Sequence, residues 1–197
     1  MRYTSDHKTG TRNLVLQHAS RQILAGGIDS IRIAEIMSKA GLTHGGFYAH
    51  FDSKEDLLIS AVEMNFAKAR VFFLGHVSGK SPAEGLRSYI DGYLSTRHRD
   101  SIDEGCPVPH LLGSLPAMSE GVRERFTRQL SRWIARIAVY LRKMGHSDAA
   151  DMAASFIAEL VGTLSLARAL GPTKRSDEVL RRSRASLKKR LVMDQRS

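Results

Sequence analysis

The chain has 197 residues, a formal charge of +10 and one cysteine, Cys106. That length accommodates one large domain, or a small one beside a larger one, and a lone cysteine excludes any intrachain disulfide. No apolar run reaches the roughly 20 residues that span a bilayer, and the opening MRYTSDHKTG lacks the apolar core of a signal peptide, so a cytoplasmic protein without membrane association is expected.

In chain order, Val15, Ala19 and Ile23 recur at helical spacing and predict a first helix over about 11–25, ended by Gly26-Gly27. Ile33, Ile36, Met37 and Ala40 mark a short amphipathic second helix, and Gly41 supplies the left-handed residue that stops it. The segment GLTHGGFYAHF (Gly41–Phe51) then reads as the turn and second helix of a helix-turn-helix. Thr43 is placed to cap that helix. Phe47 and Phe51 share its inner face, and Thr43, His44, Tyr48 and His50 fall partly or wholly outside. Ser53 followed by Asp56 resembles a capping box, with Asp in place of Glu, and opens the next helix.

The remainder is helical as well. Leu57, Leu58, Ala61, Val62 and Phe66 continue one helix towards Leu74, and Pro82 starts another whose inner face holds Leu86, Ile90 and Tyr93. DEGCPVP (Asp103–Pro109) is a break, followed by a short helix near 108–115. Val122, Phe126, Leu130, Trp133, Ile137 and Leu141 outline a long amphipathic helix over 119–143. The stretch 149–170 is apolar nearly all round and rich in small residues, which predicts cover on more than one side. A last helix after Gly171-Pro172 carries Val179, Leu180, Leu187 and Leu191 among many basic residues. The expected fold is all-α.

Charge does little to locate a nucleic-acid surface. Residues 1–60 carry seven Lys/Arg against six acids, whereas 172–197 carry nine against three. The excess lies at the far end of the chain from the helix-turn-helix, and the C-terminal RRSRASLKKR reads as a solvated helix face.

The candidate DNA-contacting residues are Thr43, His44, Gly45, Gly46, Tyr48, His50 and Lys54. His44 and Gly45, near the start of the recognition helix, are placed for base edges. Gly45-Gly46 weakens that helix by about 1 kcal/mol per glycine, a cost consistent with close approach of backbone to DNA. Tyr48 and His50 are suited to hydrogen bonds with phosphate, which position without reading sequence. Lys54 adds a cation beside helix-terminal N–H groups that attract anions. The eight histidines show no metal-site spacing, and no phosphate loop, dinucleotide fingerprint or nucleophile elbow occurs. Neither an enzyme nor a cofactor or metal is indicated.

The stretch from about Thr11 to Val62, with its FYAHFDSKEDLL, resembles the DNA-binding head of the tetracycline-repressor (TetR) family of bacterial transcription regulators. One departure is Arg32, where that family usually has Thr or Ser three residues before an acid (here Glu35). It leaves Ser30 as an alternative cap for the second helix. The resemblance implies an N-terminal helix-turn-helix domain (8–62) on a larger helical domain (63–197). It implies phosphate contacts by Tyr48 and Lys54, and a helix joining the head to an effector-binding body. It also implies a homodimer, in which the 149–170 helix and the last helix pack against their copies. Two heads spaced by about one turn of DNA (~34 Å) would then read a palindrome. The function implied is transcriptional repression relieved by a small-molecule effector. Candidate pocket residues are Tyr89, Tyr93, His110, Phe126, Trp133, Ile137 and Phe156. An alternative trigger is Cys106, since some members sense electrophiles or oxidants through a cysteine in a similar Gly-Cys segment. Followed by Pro107, it is placed at a predicted helix N-cap, where the dipole favours a thiolate.

Overall fold

The computed structural model describes residues 2–193; the last four residues of the expected second domain, 194–197, lie outside it. Every regular element among the described residues is a helix: α1 (Arg2–Gly26), α2 (Ile33–Lys39), α3 (Lys54–Val77), α4 (Pro82–Tyr93), α5 (Thr96–Asp100), α6 (Val108–Leu111), α7 (Glu120–Lys143), α8 (Ala149–Ala169) and α9 (Lys174–Met193). Three 3-10 helices, Ile28–Ser30, His44–Ala49 and Leu115–Ala117, lie between them.

The chain forms two compact units. One comprises Met1–Lys68 with Cys106–Arg128; the other comprises Ala69–Gly105 with Gln129–Ser197. The family resemblance places 106–128 in the second domain, whereas its contacts group it with residues 1–68. The reasons are specific. Phe126 packs edge-on against Phe66, with ring centroids 5.6 Å apart, and Arg125 pairs with Glu63 at 2.9 Å. The Ser119 hydroxyl donates to the Glu55 carboxylate at 2.6 Å. Gly121 lies so close that a Cβ there would meet that carboxylate at 2.7 Å.

In the first unit, α1 packs Val15, Ala19, Ile23 and Leu24 inward. Its buried Ser20 donates to Asn65 of α3 and accepts from Lys68. The end of α2 is a Schellman turn: Leu42 N–H donates to Met37 C=O and Gly41 N–H to Ser38 C=O. Gly41 takes φ +71° there, a conformation in which a side chain is strained. The start of α2 differs from expectation. Arg32 occupies the N-cap position without a side-chain cap, and the Ser30 hydroxyl turns back to the Gln22 and Gly27 carbonyls. Gln22 of α1 supplies the missing partners, accepting from Arg32 N–H and donating to Glu35.

In the second unit, α4 opens on a full capping box. Ser81 accepts from the Glu84 N–H and Glu84 accepts from the Ser81 N–H, with Pro82 in the first turn. α8 has the length and composition of a membrane-crossing helix, contrary to the expectation that no stretch qualifies. Its Phe156, Ile157, Leu160, Val161 and Leu164 are instead buried among the other helices of this unit.

Two polar groups hold the base of the second unit. Arg99, only 5% exposed, donates to Ser176 at 2.9 Å and pairs with Asp100 and Asp177 at 2.7 and 2.6 Å. Ser176 in turn donates to Ala167 C=O, so one guanidinium joins α5 to the first turn of α9 and, through Ser176, to the end of α8. Beside it, His98 Nδ1–H donates to Tyr93 C=O at 2.7 Å, and its ring packs against Phe72 and Tyr93. Burial pushes its pKa from 6.5 down to about 4, and the nearby charges of Arg168 and His76 act in the same direction.

His98 is therefore neutral in the folded protein. The unfolded chain takes up a proton near pH 6.5 but the folded one only near 4, so this contribution to stability is present above pH 6.5 and is lost as pH falls through that window. Chemical denaturation across pH 7.5–4 should show a stability loss of up to about 3 kcal/mol assignable to this group, and a His98→Gln variant should flatten that part of the profile. An unchanged slope in the variant would remove His98 from the account.

Candidate nucleic-acid interface

The segment after Gly41 has too little helical propensity to form a regular α-helix. Gly45 and Gly46 each remove a favourable residue, and Thr43, although extended at the N-cap position, makes no side-chain cap bond. The result is a 3-10 helix over His44–Ala49, rather than the capped helix expected over Thr43–Phe51.

What holds this segment is packing from behind. Phe47 and Phe51 are buried and stacked at 5.5 Å. Met37 of α2 lies beneath Gly46, where a Cβ would come within 3.7 Å of its methyl group. Arg12 of α1 closes the far end. Its guanidinium lies 4.6 Å from the Phe51 ring centroid, Nε donates to His50 C=O at 3.2 Å, and Nη2 donates to Ser60 at 3.1 Å. Arg12 was not singled out from the sequence. Its only prior signal was a cation on a helix of otherwise ordinary amphipathicity.

Against this support, Thr43, His44, Gly45, Tyr48 and Lys54 are exposed. Tyr48 is 73% exposed and stands edge-on to Phe47, with centroids 5.2 Å apart. Gly45 has nothing within 4 Å of where a Cβ would lie and does not adopt a positive φ, so the backbone there is bare rather than crowded. Gly46 is half-buried. His50 departs from the outward placement expected of it: it too is half-buried, and its Nδ1 is sealed from solvent with no hydrogen-bond partner among the described residues. His50 is the C-cap residue of this 3-10 helix, where its N–H donates to Phe47 C=O and its own C=O accepts from Arg12. Lys54 begins α3. The Ser53 hydroxyl accepts from Asp56 N–H at 3.0 Å, while the Asp56 carboxylate reaches the N–H of Asp52 rather than that of Ser53.

The other candidates divide between the units. His110 and Phe126 belong to the first; Tyr89, Tyr93, Trp133, Ile137 and Phe156 belong to the second. There, Tyr93 joins Tyr89 and Trp133 in one aromatic group, with centroids at 5.7 and 5.9 Å. Cys106 is buried and sits one residue before the N-cap of α6, which is Pro107. The cap geometry expected to favour a thiolate is therefore not formed by the cysteine itself. Among the described residues no three His, Cys, Asp or Glu side chains gather as a metal site would require.

Comparison with known proteins gives two family models that match this chain. One, described as bacterial regulatory proteins of the tetR family, covers residues 15–61. The other, described as the tetracyclin repressor-like C-terminal domain, covers 82–183. An HTH-type transcriptional regulator from the lacX 3′ region of Lactococcus lactis subsp. lactis, itself uncharacterised, is 25% identical over 161 residues, covering 79% of this chain and 82% of that protein. The fold is similar to the crystal structure of reduced E. coli NemR, with TM-score 0.81, 20% identity, and 91% and 96% of the two chains covered. It is also similar to that of a TetR transcriptional regulator from Chloroflexus aurantiacus, with TM-score 0.80, 23% identity, and 98% of each chain covered.

Replacing Arg12 by Ala removes a cation–π contact and two part-buried hydrogen bonds, each contribution worth about 1 kcal/mol. The variant should lose roughly 1–3 kcal/mol in urea denaturation. A loss within error of zero would mean that the recognition segment is held without this clamp.

Proposed function

The chain belongs to the tetracycline-repressor family of bacterial transcription regulators, and from that premise we propose that it is a cytoplasmic homodimer that represses by occupying a palindromic operator and is released by a small-molecule effector. That it is a DNA-binding regulator follows from the family. The residue assignments and the partner are the proposal. One observation carries it: Thr43, His44, bare Gly45, Tyr48 and Lys54 are displayed along one short segment whose reverse side is fixed by Phe47, Phe51 and Arg12. A rigidly backed, solvent-facing edge of this kind suits insertion into a major groove. Tyr48 and Lys54 contact phosphate, His44 meets base edges, and the absence of a side chain at Gly45 allows backbone and DNA to approach. His50 is kept in this group as a backbone contributor, because its carbonyl anchors Arg12.

Dimerisation is supported by an exposed strip on α8. Ala154, Ala158, Gly162 and Leu166 recur every four residues and face outward, and Leu166 is 61% exposed. Small side chains flanking an uncovered leucine suit close approach of a second helix. Effector binding in the body, around Tyr89, Tyr93, Trp133, Ile137 and Phe156, is preferred to a thiol trigger, because Cys106 is buried and stands outside the helix cap. An effector acts only through a difference in affinity between the DNA-competent and released arrangements.

Titration of operator DNA at several salt concentrations tests the interface. Lys54→Ala should weaken binding and reduce the salt slope by about two, one phosphate contact being lost in each subunit of the dimer. Tyr48→Phe should cost roughly fivefold in affinity with the slope unchanged. Gly45→Ala should leave thermal stability intact yet impair binding. Wild-type affinity and slope in all three would exclude this segment as the interface.

A further inference from the structure

A second cluster of charge lies on the body, beside Tyr89 and Ile137 of the candidate effector group. The later part of α3 meets the later part of α7 through Phe73 and Tyr140, whose rings are perpendicular with centroids 5.4 Å apart. Arg70 precedes Phe73 by three residues and Arg136 precedes Tyr140 by four. Each arginine is therefore about one helical turn before the ring contact on its own helix, near enough for the charge of Arg70 to act on Arg136. Arg70 is exposed and Arg136 half-buried. Lys143, on the same strip of α7, lies with Nζ 5.9 Å from the Tyr140 ring centroid.

These cations lack counter-charges. Residues 69–80 and 129–147 contain no Asp or Glu. The two acids of adjacent α4 are engaged elsewhere, Glu84 at the Ser81 cap and Asp91 with Lys188. Among the described residues neither Arg70 nor Arg136 makes an ion pair or a side-chain hydrogen bond. Burial holds the Arg136 pKa below its ordinary value and the charge of Arg70 lowers it further, while the opposing influences come from Tyr89 and Tyr140 and from no carboxylate. A guanidinium half-removed from water beside a like charge is unfavourable unless an anion joins it. Guanidinium groups are the side chains best suited to bidentate recognition of phosphate oxygens, and two neighbouring ones without carboxylate partners favour such an anion.

We propose that Arg70 and Arg136 form a phosphate-binding site on the body, with Lys143 adding to its positive field. The site takes a phosphate monoester, either a soluble small molecule or a lipid headgroup. It does not depend on the regulatory reading of the chain.

The test uses the full-length protein in low-salt chloride buffer. Glycerol 3-phosphate is titrated by calorimetry, with acetate at matched ionic strength as control. A parallel arm measures cosedimentation with phosphatidylcholine vesicles, with and without phosphatidic acid. Saturable binding of the soluble phosphate identifies a small-molecule site; binding only to phosphatidic acid vesicles identifies a headgroup site. In either arm, Arg136→Gln and Arg70→Gln should each weaken binding about tenfold or more, while Arg175→Gln on α9 should leave it unchanged. Should Arg136→Gln fail to fold, the exposed Arg70→Gln carries the comparison. Absence of saturable binding in both arms, or equal binding by the Arg70 variant, overturns the proposal.

Discussion

The presented surface of the first unit depends on how residues 44–51 are held from behind. With two consecutive glycines and no side-chain cap, the segment cannot maintain its own conformation. The stacked pair Phe47–Phe51 fills the space under it, and Arg12 joins the last turn to α1 through the Phe51 ring and the His50 carbonyl. This support frees the outer residues from any packing duty. Tyr48 can be largely exposed and Gly45 can be bare because neither holds the segment in place.

The same logic accounts for the grouping of residues 106–128 with this unit. Ser119 and Gly121 bear on Glu55, one residue after Lys54, and Arg125 and Phe126 meet Glu63 and Phe66 further along α3. The helix that begins at the proposed phosphate contact is thus braced by a segment remote in sequence. In the second unit the corresponding anchor is Arg99, which ties α5 to the first turn of α9 through Ser176 and Asp177. Whatever the body binds, its helices are referenced to that buried charge.

Much of this was legible beforehand because it is local. Glycine at 41, the Phe47–Phe51 spacing, the start of α3 at Ser53 and the apolar periods of α7 and α8 involve neighbours within a few residues, and the structure has each of them. What was not legible depends on partners far along the chain. Nothing near Gln22 indicates that its amide serves the start of α2, and nothing near Arg12 indicates that it clamps His50. The period of α7 shows that Phe126 faces inward but not that it faces Phe66. The Ser81–Glu84 capping box is local too: its three-residue spacing is readable in the sequence beside Pro82. His50 lies only partly outside, because it caps the segment and its carbonyl is turned to Arg12 of α1, a partner remote in sequence.

The most direct test of the central claim is nuclease protection of the DNA upstream of the gene at near-physiological salt, with excess non-specific duplex present. The account predicts a protected, two-fold symmetric site that survives the competitor and disappears with Gly45→Ala. Protection that the competitor abolishes on every fragment of a genome-wide pool would leave only generic electrostatic affinity, and would contradict a sequence-reading role for this segment.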